Sequence, residues 1–175
     1  MEYFFNFEKM AYVMGQKPSG CILCGIAGKE DLTVDLTVYV DSLFVVVVNL
    51  YPYNPGHLMI FPRRHVEDVR ELTSEERSRS QELTNRFLDV LDTLYHPSAY
   101  NIGYNMGMNA GASIAHLHLH IIPRYPRELG IADLIAGKRV LVESPLKTVE
   151  RIRSHLGSNG PLLHGHQVPE GFGSP

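Results

Sequence analysis

Three histidines alternate with apolar residues in one short stretch, His116-Leu-His118-Leu-His120-Ile121. A period of two predicts a β-strand, with the three imidazoles on one face and the three apolar side chains on the other. The apolar face then has a core to fill, and the histidine face is left for chemistry. The Cα atoms of successive histidines on such a strand lie about 6.5–7 Å apart, so one metal ion can bind two of the side chains but hardly all three. The row therefore suits separate roles.

The composition predicts one globular domain. With 175 residues and 44% hydrophobic content the chain can form a single core, which we place within residues 1–156. Residues 157–175 contain five glycines and three prolines, which predicts an irregular tail. A net charge of −3 disfavours nucleic acid as a partner. Without a basic leader or an apolar run of membrane-spanning length, the chain is predicted to be cytoplasmic and not attached to a membrane.

Local patterns predict strands on both sides of one long helix. Its start is marked by Thr73-x-x-Glu76, a capping box that precedes an apolar stripe at helical spacing. The apolar run Val45–Val48 predicts a central strand that is covered on both faces. The other predicted elements are helix 2–14, strands 37–40, 43–49, 57–62 and 100–105, the histidine strand 116–121, a strand over 138–143 and helix 145–156.

The two cysteines form one Cys-x-x-Cys, Cys21 and Cys24, in a segment predicted to be a tight loop over 17–25. In a reducing compartment this spacing indicates a metal site or a redox pair before a structural disulfide. A thioredoxin-like redox pair needs a strand before the motif and a helix that begins at its first cysteine, and neither is predicted. A closed zinc site needs two more ligands, which the nine histidines can supply; His164-x-His166 is one candidate pair.

The segment before the histidine strand is rich in small residues. Gly103, Gly107 and Gly111 let a backbone approach an anion, and Ser113 adds a hydroxyl, although the glycine spacing also fits close helix packing. A neutral imidazole is nucleophilic near pH 7 and can take a phosphoryl group covalently. Together these features predict phosphoryl or nucleotidyl transfer, in which neighbouring donors stabilise charge on the phosphate oxygens.

Two longer patterns contain these residues. The first is Asn49-Leu-Tyr-Pro-Tyr-Asn-Pro-Gly56-His57, continued to His65, and the second is Asn105-x-Gly107-x-x-Ala-Gly111-x-Ser113-x-x-His116-Leu-His118-Leu-His120-x-x-Pro123-Arg124. Both resemble the marked segments of the histidine triad (HIT) family of nucleotide hydrolases and transferases, in the family's order. The resemblance covers about residues 20–125. It is closest to the fragile-histidine-triad and diadenosine tetraphosphate hydrolase or phosphorylase branches.

The resemblance implies a set of catalytic residues. His118 is expected to attack the α-phosphate and form a nucleotidyl-histidine intermediate, with His116 and His120 on either side of it. His57 is expected to lie behind His118 on the neighbouring strand, and Ser113 to contact the phosphate or the leaving group. The implied reaction cleaves dinucleoside polyphosphates or related adenylylated compounds, and water then releases the nucleotide.

The resemblance also implies a substrate-binding set, in which Asn49 faces the ribose, Asn105 contacts phosphate, and the backbone at Gly111 and Ala112 completes the phosphate site. Two departures from the family pattern limit how far its substrate contacts can be assigned to this chain. Hydrolases of the family often carry glutamine where Ala112 or Ser113 stands. In the phosphorylase branch a tryptophan segment follows the histidines, whereas this chain contains no tryptophan.

Zinc-carrying relatives combine a Cys-x-x-Cys with two histidines, and the matching positions here are Cys21, Cys24, His65 and His116. With four protein ligands the implied zinc is structural, and His116 is committed to it. No organic cofactor is implied. The implied fold is α+β, an antiparallel sheet of about five strands with one long helix and terminal helices, and family members commonly form homodimers.

Three alternatives to a hydrolase remain open from the sequence. Inorganic phosphate in place of water as the acceptor would make the enzyme a diadenosine tetraphosphate phosphorylase. His116 and His118 could instead bind a catalytic zinc ion with an open position. The chain could also be a nucleotide-binding regulator without turnover.

Overall fold

The computed structural model describes residues 20–28, 34–126 and 143–158. The predicted helix over 2–14, most of the predicted strand over 138–143, and the chain from residue 159 lie outside these ranges. His164 and His166, the competing ligand pair, are therefore also outside them.

Five strands form one antiparallel sheet in the order β1-β2-β3-β5-β4. The strands are β1 (Thr37–Val40), β2 (Phe44–Val48), β3 (Leu58–Pro62), β4 (Ala99–Tyr104) and β5 (Leu119–Arg124). Three helices accompany them, α1 (Ile22–Gly28), α2 (Ser74–Tyr95) and α3 (Pro145–Ser158). The predicted α+β class, with five antiparallel strands and one long helix, is confirmed.

The sheet has a core on each face. Every residue of β2 is buried, as the apolar run predicted. Val46 and Val48 pack in one cluster with side chains of α2 and α3, whereas Val45 and Val47 pack on the other face with Leu23 of α1. Full burial of a valine contributes roughly 1.5 kcal/mol or more, so the two faces hold this strand firmly.

The long helix begins at the predicted capping box. The backbone N–H of Glu76 donates to Thr73 Oγ1 at 3.1 Å, and the Glu76 carboxylate accepts from the backbone N–H of Thr73 at 2.7 Å. Leu83, Phe87 and Leu91 of its apolar stripe are fully buried against the sheet. The helix α3 lies on the same face and ends at Ser158, two residues beyond the predicted end.

The predicted loop around the cysteines is wrong in its second half, because α1 begins at Ile22 and places Cys24 inside a helix. The backbone N–H of Gly25 already donates to the Cys21 carbonyl at 3.1 Å. Leu23 and Ala27 are buried against β2 and β3, and this packing stabilises a helix too short to form alone.

The histidine strand begins three residues later than predicted and has the predicted length of six residues, because β5 runs from Leu119 to Arg124 and leaves His116 and His118 before it. The backbone N–H of Leu117 donates to the carbonyl of Val66 at 2.6 Å, so this segment pairs with a loop instead of a strand. Both histidines are buried. Within the described ranges, none of the helices has the length and apolar character that crossing a bilayer requires.

Candidate active site and metal centre

One row of register partners crosses the sheet and forms the floor of a cleft. Thr37, Val47, Met59, His120 and Gly103 pair in turn from β1 to β4, so they share one face. A cleft of about 320 Å³ opens above this row. Because neighbouring strands lie about 4.8 Å apart, the floor extends about 14 Å from Thr37 to His120.

The walls of the cleft combine two kinds of chemistry. Apolar side chains come from α1 and from the segment before β1: Ile22, Leu23, Ile26, Val34 and Leu36. Polar side chains come from the ends of β2, β4 and β5: Asn49, Asn105, Ser113, His118 and His120. A cleft of this kind fits a ligand that has a flat apolar part and an anionic part.

His118 lines this cleft although only 3% of its surface is exposed. Its Nδ1 lies 2.7 Å from the carbonyl oxygen of His116. A carbonyl only accepts hydrogen bonds, so Nδ1 carries the proton, and the neutral ring has its lone pair on Nε2. The fold therefore fixes both the orientation and the nucleophilic nitrogen of this imidazole.

His57 and His120 form a hydrogen-bonded pair beside His118. The backbone N–H of Tyr53 donates to His57 Nδ1 at 3.2 Å, so the proton of neutral His57 is on Nε2. That N–H donates to His120 Nδ1 at 2.9 Å. His120 is left with its own N–H on Nε2, and its ring centroid lies 4.8 Å from that of His118. The pair thus supplies a hydrogen-bond donor next to a nucleophile.

The electrostatics keep this pair neutral. Burial and then the neighbouring His120 and His118 lower the pKa of His57 to about 3. Burial and then His118 lower the pKa of His120 to about 4. Both rings are uncharged at pH 7, so the order of donors and acceptors described above holds there.

Asn49, Asn105 and Ser113 all line the cleft, as the resemblance implied. Asn49 Oδ1 accepts from the backbone N–H of Tyr51 at 3.0 Å. The Asn49 amide nitrogen lies 3.3 Å from His57 Nε2, but that nitrogen carries a proton, so the amide N–H remains for a ligand.

The backbone N–H groups of Gly111 and Ala112, which the resemblance assigned to a phosphate site, donate within their own loop in this structure. The Gly111 N–H donates to the Met108 carbonyl and the Ala112 N–H to the Gly107 carbonyl, at 3.0 and 3.3 Å. Gly111 lines the cleft with a left-handed φ of 88°, and Ala112 is not among the lining residues of the described structure. These amides close the loop on itself and do not point a row of donors at an anion. The three glycines lie in β4 and this loop, so close helix packing is not their role.

His116 belongs to a second cluster of side chains, which could hold a metal ion. The ligand atoms of Cys21, Cys24, His65 and His116 all lie within 4.8 Å of one another. His116 Nδ1 is 3.3 Å from Cys21 Sγ and 3.5 Å from Cys24 Sγ, and His65 Nδ1 is 3.3 Å from Cys24 Sγ. Ligand atoms around a tetrahedral zinc ion, with bonds of about 2.0–2.3 Å, are separated by similar distances.

The other nitrogen of each histidine in this cluster is already occupied. His116 Nε2 donates to the Pro62 carbonyl at 2.8 Å, and His65 Nε2 lies 3.4 Å from Glu67 Oε1. Such contacts fix the tautomer and leave Nδ1 as the metal-binding nitrogen. Burial lowers the pKa of His116, which favours the neutral form that binds metals. The donor set therefore fits zinc.

Sequence reasoning missed the apolar wall and Tyr53. Ile22 and Ile26 lie four residues apart, and this helical spacing was concealed by the adjacent Gly25 and the Cys-x-x-Cys. Tyr53 lies inside a turn-rich connection, where an aromatic residue has no periodic pattern to identify it. Its ring stacks on His57 with a centroid distance of 5.3 Å.

The family profile described as the HIT domain matches residues 33–127, more than half of the chain. The chain is 30% identical over 130 residues to an uncharacterised HIT-like protein of Methanocaldococcus jannaschii, covering 74% of this chain and 98% of that protein. The chain therefore belongs to the HIT domain family.

Other relatives have named activities. The chain is 38% identical over 107 residues to an AP-4-A phosphorylase of Mycobacterium tuberculosis, covering 61% of this chain and 55% of the relative. It is 34% identical over 97 residues to an asymmetrical bis(5'-nucleosyl)-tetraphosphatase of Schizosaccharomyces pombe, covering 55% and 53%. The chain thus spans about half the length of these two curated relatives.

Solved structures share the fold. A zinc-bound histidine triad family protein from Mycobacterium smegmatis superposes with a TM-score of 0.62 at 21% identity, covering 83% of this chain and 96% of that chain. A hypothetical histidine triad nucleotide-binding protein from Sulfolobus tokodaii gives 0.63 at 23% identity, covering 79% and 93%.

Proposed function

We propose that this protein is a nucleotidyl hydrolase or transferase that cleaves dinucleoside polyphosphates, or related adenylylated compounds, through a nucleotide covalently bound to His118. The observation that carries the proposal is the His118 tautomer. Its Nδ1 is held by the His116 carbonyl, so the lone pair of Nε2 is available in a cleft with an apolar wall. A neutral imidazole fixed in this way is prepared for nucleophilic attack.

In the first step, Nε2 of His118 attacks the α-phosphorus. A P–N bond forms while the P–O bond to the leaving group breaks, and the leaving oxygen takes the electron pair. The ring becomes cationic during attack, and its Nδ1–H bond to the His116 carbonyl at 2.7 Å stabilises that charge. In the second step, an oxygen of the acceptor, water or inorganic phosphate, forms a bond to phosphorus while the P–N bond breaks. The electron pair of that bond returns to Nε2 and restores the neutral ring, and a water acceptor releases its proton to solvent.

His120 assists both steps as a hydrogen-bond donor. Its Nε2–H can donate to a phosphate oxygen, where negative charge increases in the transition state. His57 is a positioning residue, because its Nε2–H fixes the His120 tautomer at 2.9 Å. Ser113 and Asn105, at the polar side of the cleft, provide further donors to phosphate or to the leaving group.

The relatives support the substrate class. The M. tuberculosis relative is named as a phosphorylase and the S. pombe relative as a hydrolase, so the two differ in the acceptor and share the dinucleoside tetraphosphate. The apolar wall made by α1 and the segment before β1 is suited to a purine base. Because one of these relatives is named as a phosphorylase, inorganic phosphate remains the alternative acceptor to water.

The decisive experiment traps the intermediate. Wild-type protein mixed briefly with diadenosine tetraphosphate and quenched should gain the mass of one adenylyl group on the peptide that contains His118. Rapid turnover without any adduct on that peptide would refute the covalent mechanism. Product analysis with and without inorganic phosphate identifies the acceptor: ADP that forms only with phosphate indicates phosphorolysis, and ATP with AMP indicates hydrolysis.

We also propose that Cys21, Cys24, His65 and His116 hold a structural zinc ion. The support is the donor set, the distances of 3.3–3.5 Å between ligand atoms, and the occupied far nitrogens of both histidines. A zinc ion with four protein ligands has no open position and acts as a cross-link. Here it would join the start of α1 to the segment that precedes β5. Metal analysis of the purified protein, expected at one zinc per chain, is the test.

The geometry argues against a catalytic metal shared by His116 and His118. The Nδ1 atom of His116 faces the thiols, whereas Nδ1 of His118 donates to a carbonyl and its Nε2 belongs to the cleft. Among the described residues, His118 is not part of the metal-binding cluster. A regulator without turnover is a further alternative, and product analysis of the wild-type protein separates it from an enzyme.

Two further expectations are part of the proposal. Cys21 and Cys24 form no disulfide in the described structure, and this fits a reducing compartment and supports a cytoplasmic location. The strand β4 is at an edge of the sheet and exposes 45% of Ile102, which supports a homodimer that covers this edge. Sedimentation of the purified protein tests the second expectation, and a monomer at micromolar concentration would refute it.

A further inference from the structure

Tyr53 is a large aromatic residue that is exposed at the mouth of the cleft. It lines the cleft, yet 53% of its surface is accessible to solvent. One face of its ring lies nearly parallel to the His57 imidazole, at 16° and a centroid distance of 5.3 Å. Since that contact uses one face of the phenol, the accessible surface belongs mainly to the other.

The loop that carries Tyr53 is anchored on both sides of it. The Asn54 side chain is buried and donates to the Pro123 carbonyl at 2.6 Å, and the Tyr125 hydroxyl donates to the Pro55 carbonyl at 2.9 Å. The Tyr53 backbone N–H donates to His57 Nδ1. The ring is therefore presented from a backbone that is already ordered, so a ligand that stacks on it has little loop entropy to overcome.

The ring belongs to the histidine side of the cleft. It stacks on His57, whose ring centroid is 5.1 Å from that of His120. The apolar wall of α1 packs instead with Val47 and Met59. A nucleotide with its base on the apolar wall and its α-phosphate at His118 would direct the remainder of the polyphosphate chain away from that wall.

We propose that Tyr53 is the stacking platform for the second base of a dinucleoside polyphosphate, the base that departs with the leaving group. The inference rests on the proposed function and adds a second-nucleoside subsite to it. An aromatic face accepts any base by stacking, so this subsite favours substrates with two nucleosides over adenylylated compounds with small leaving groups. The first base would be selected by the apolar wall and the second by Tyr53.

Tyr53 also supports His57, so the experiment must separate stacking on a base from positioning of a histidine. Two substrates that share the adenosine and the α-phosphate can separate these two effects. They are diadenosine tetraphosphate and adenosine 5′-phosphosulfate, whose leaving group is sulfate. Loss of a base contact affects the first substrate only. A misplaced His57 affects both, because both need the same attack by His118.

The test measures kcat/KM of wild type, Tyr53→Ala and Tyr53→Phe with each substrate. Tyr53→Ala should lower the value for diadenosine tetraphosphate by about tenfold or more, the usual effect of one stacked base, and change that for the phosphosulfate by less than about twofold. Tyr53→Phe keeps the ring and should stay near wild type on both. Equal losses on the two substrates, or no loss on either, would overturn the inference. A wild-type protein that cleaves neither compound would instead refute the proposed function.

Discussion

His116 and His118 are two residues apart, and the structure gives their imidazoles opposite orientations. His116 donates from Nε2 to the Pro62 carbonyl and leaves Nδ1 to face two thiols. His118 donates from Nδ1 to the His116 carbonyl and leaves Nε2 in the cleft. The carbonyl that each ring bonds to therefore determines which nitrogen is left over, and this difference underlies the two roles proposed for them, metal ligand and nucleophile.

The surroundings of the two sites differ as well. The metal cluster contains His65, which is 44% exposed at its side chain, and it lies between a loop and α1. The cleft site is backed by His57, which is fully buried. The proposed zinc would add a cross-link to the apolar packing of α1, whereas the cleft histidines rely on burial and hydrogen bonds. The following predictions separate these two kinds of support.

The largest expected effect comes from the nucleophile. His118→Ala should lower kcat for diadenosine tetraphosphate by at least about 10⁴-fold, because no other group forms the covalent intermediate. Binding of AMP, measured by calorimetry, and the zinc content should remain near wild type. A variant that keeps more than about one hundredth of the wild-type kcat would show that another residue attacks phosphorus.

Removal of a metal ligand should act on stability first. Cys24→Ala should lose the bound zinc, and its free energy of unfolding should fall by roughly 4 kcal/mol when free zinc is about a thousandfold above the dissociation constant. Urea denaturation and metal analysis check this. The matched control is His164→Ala/His166→Ala, which should keep one zinc per chain; loss of zinc in that variant would assign the tail histidines as ligands.

Acid should destabilise the cleft site because of its buried neutral histidines. The pKa values of His57 and His120 in the folded state are about 3 and about 4, below the ordinary value of 6.5. Between pH 6.5 and about pH 4 the unfolded chain binds more protons than the folded chain. The stabilisation that depends on neutral rings is therefore complete above pH 6.5 and decreases as the pH falls toward 4. Each ring contributes a slope of up to about 1.4 kcal/mol per pH unit.

The control for this pH dependence is His57→Gln, which removes one titrating ring. Its free energy of unfolding, measured by urea denaturation from pH 5 to pH 7, should vary less steeply with pH than that of the wild type. Identical slopes for the two proteins would mean that His57 is not held neutral in the folded state.

The smallest effect tests the loop that fixes His57. Asn54→Ala removes a buried donor 2.6 Å from the Pro123 carbonyl and leaves that carbonyl without this bond, which should cost about 1–3 kcal/mol of folding stability. Asn85→Ala, at an exposed position of α2, should change stability by less than about 0.5 kcal/mol. Thermal unfolding of both variants is sufficient, and equal melting temperatures would contradict the anchoring role of Asn54.

The sequence predicted most elements that depend on local patterns. The capping box at Thr73 and Glu76 determines where α2 begins. The apolar run Val45–Val48 places apolar side chains on both faces of the sheet, so it predicts a buried strand without identifying the elements that cover it. The strands 37–40 and 43–49 were also predicted, and Asp41 between them accepts from the backbone N–H groups of Leu43 and Phe44 at 2.8 and 2.7 Å. These features depend on residues close in the chain.

What the sequence did not predict depends on distant contacts. Helix α1 has seven residues and is stabilised by packing of Leu23 and Ala27 on strands far along the chain. Leu117 has the right spacing for β5, but its side chain packs with Val66 and Leu72 in a separate cluster. The alternation of histidines therefore predicted a strand of the right length but placed its start three residues too early.

The short helix α1 connects the proposed zinc site to the proposed ligand-binding wall. Cys24 is in this helix and Cys21 directly precedes it, while Ile22 and Ile26 of the same helix form part of the cleft wall. A change in the wall that turns the helix about its axis would also move a thiol. Any redesign of the base preference through Ile22 or Ile26 should therefore be judged by zinc content as well as by turnover.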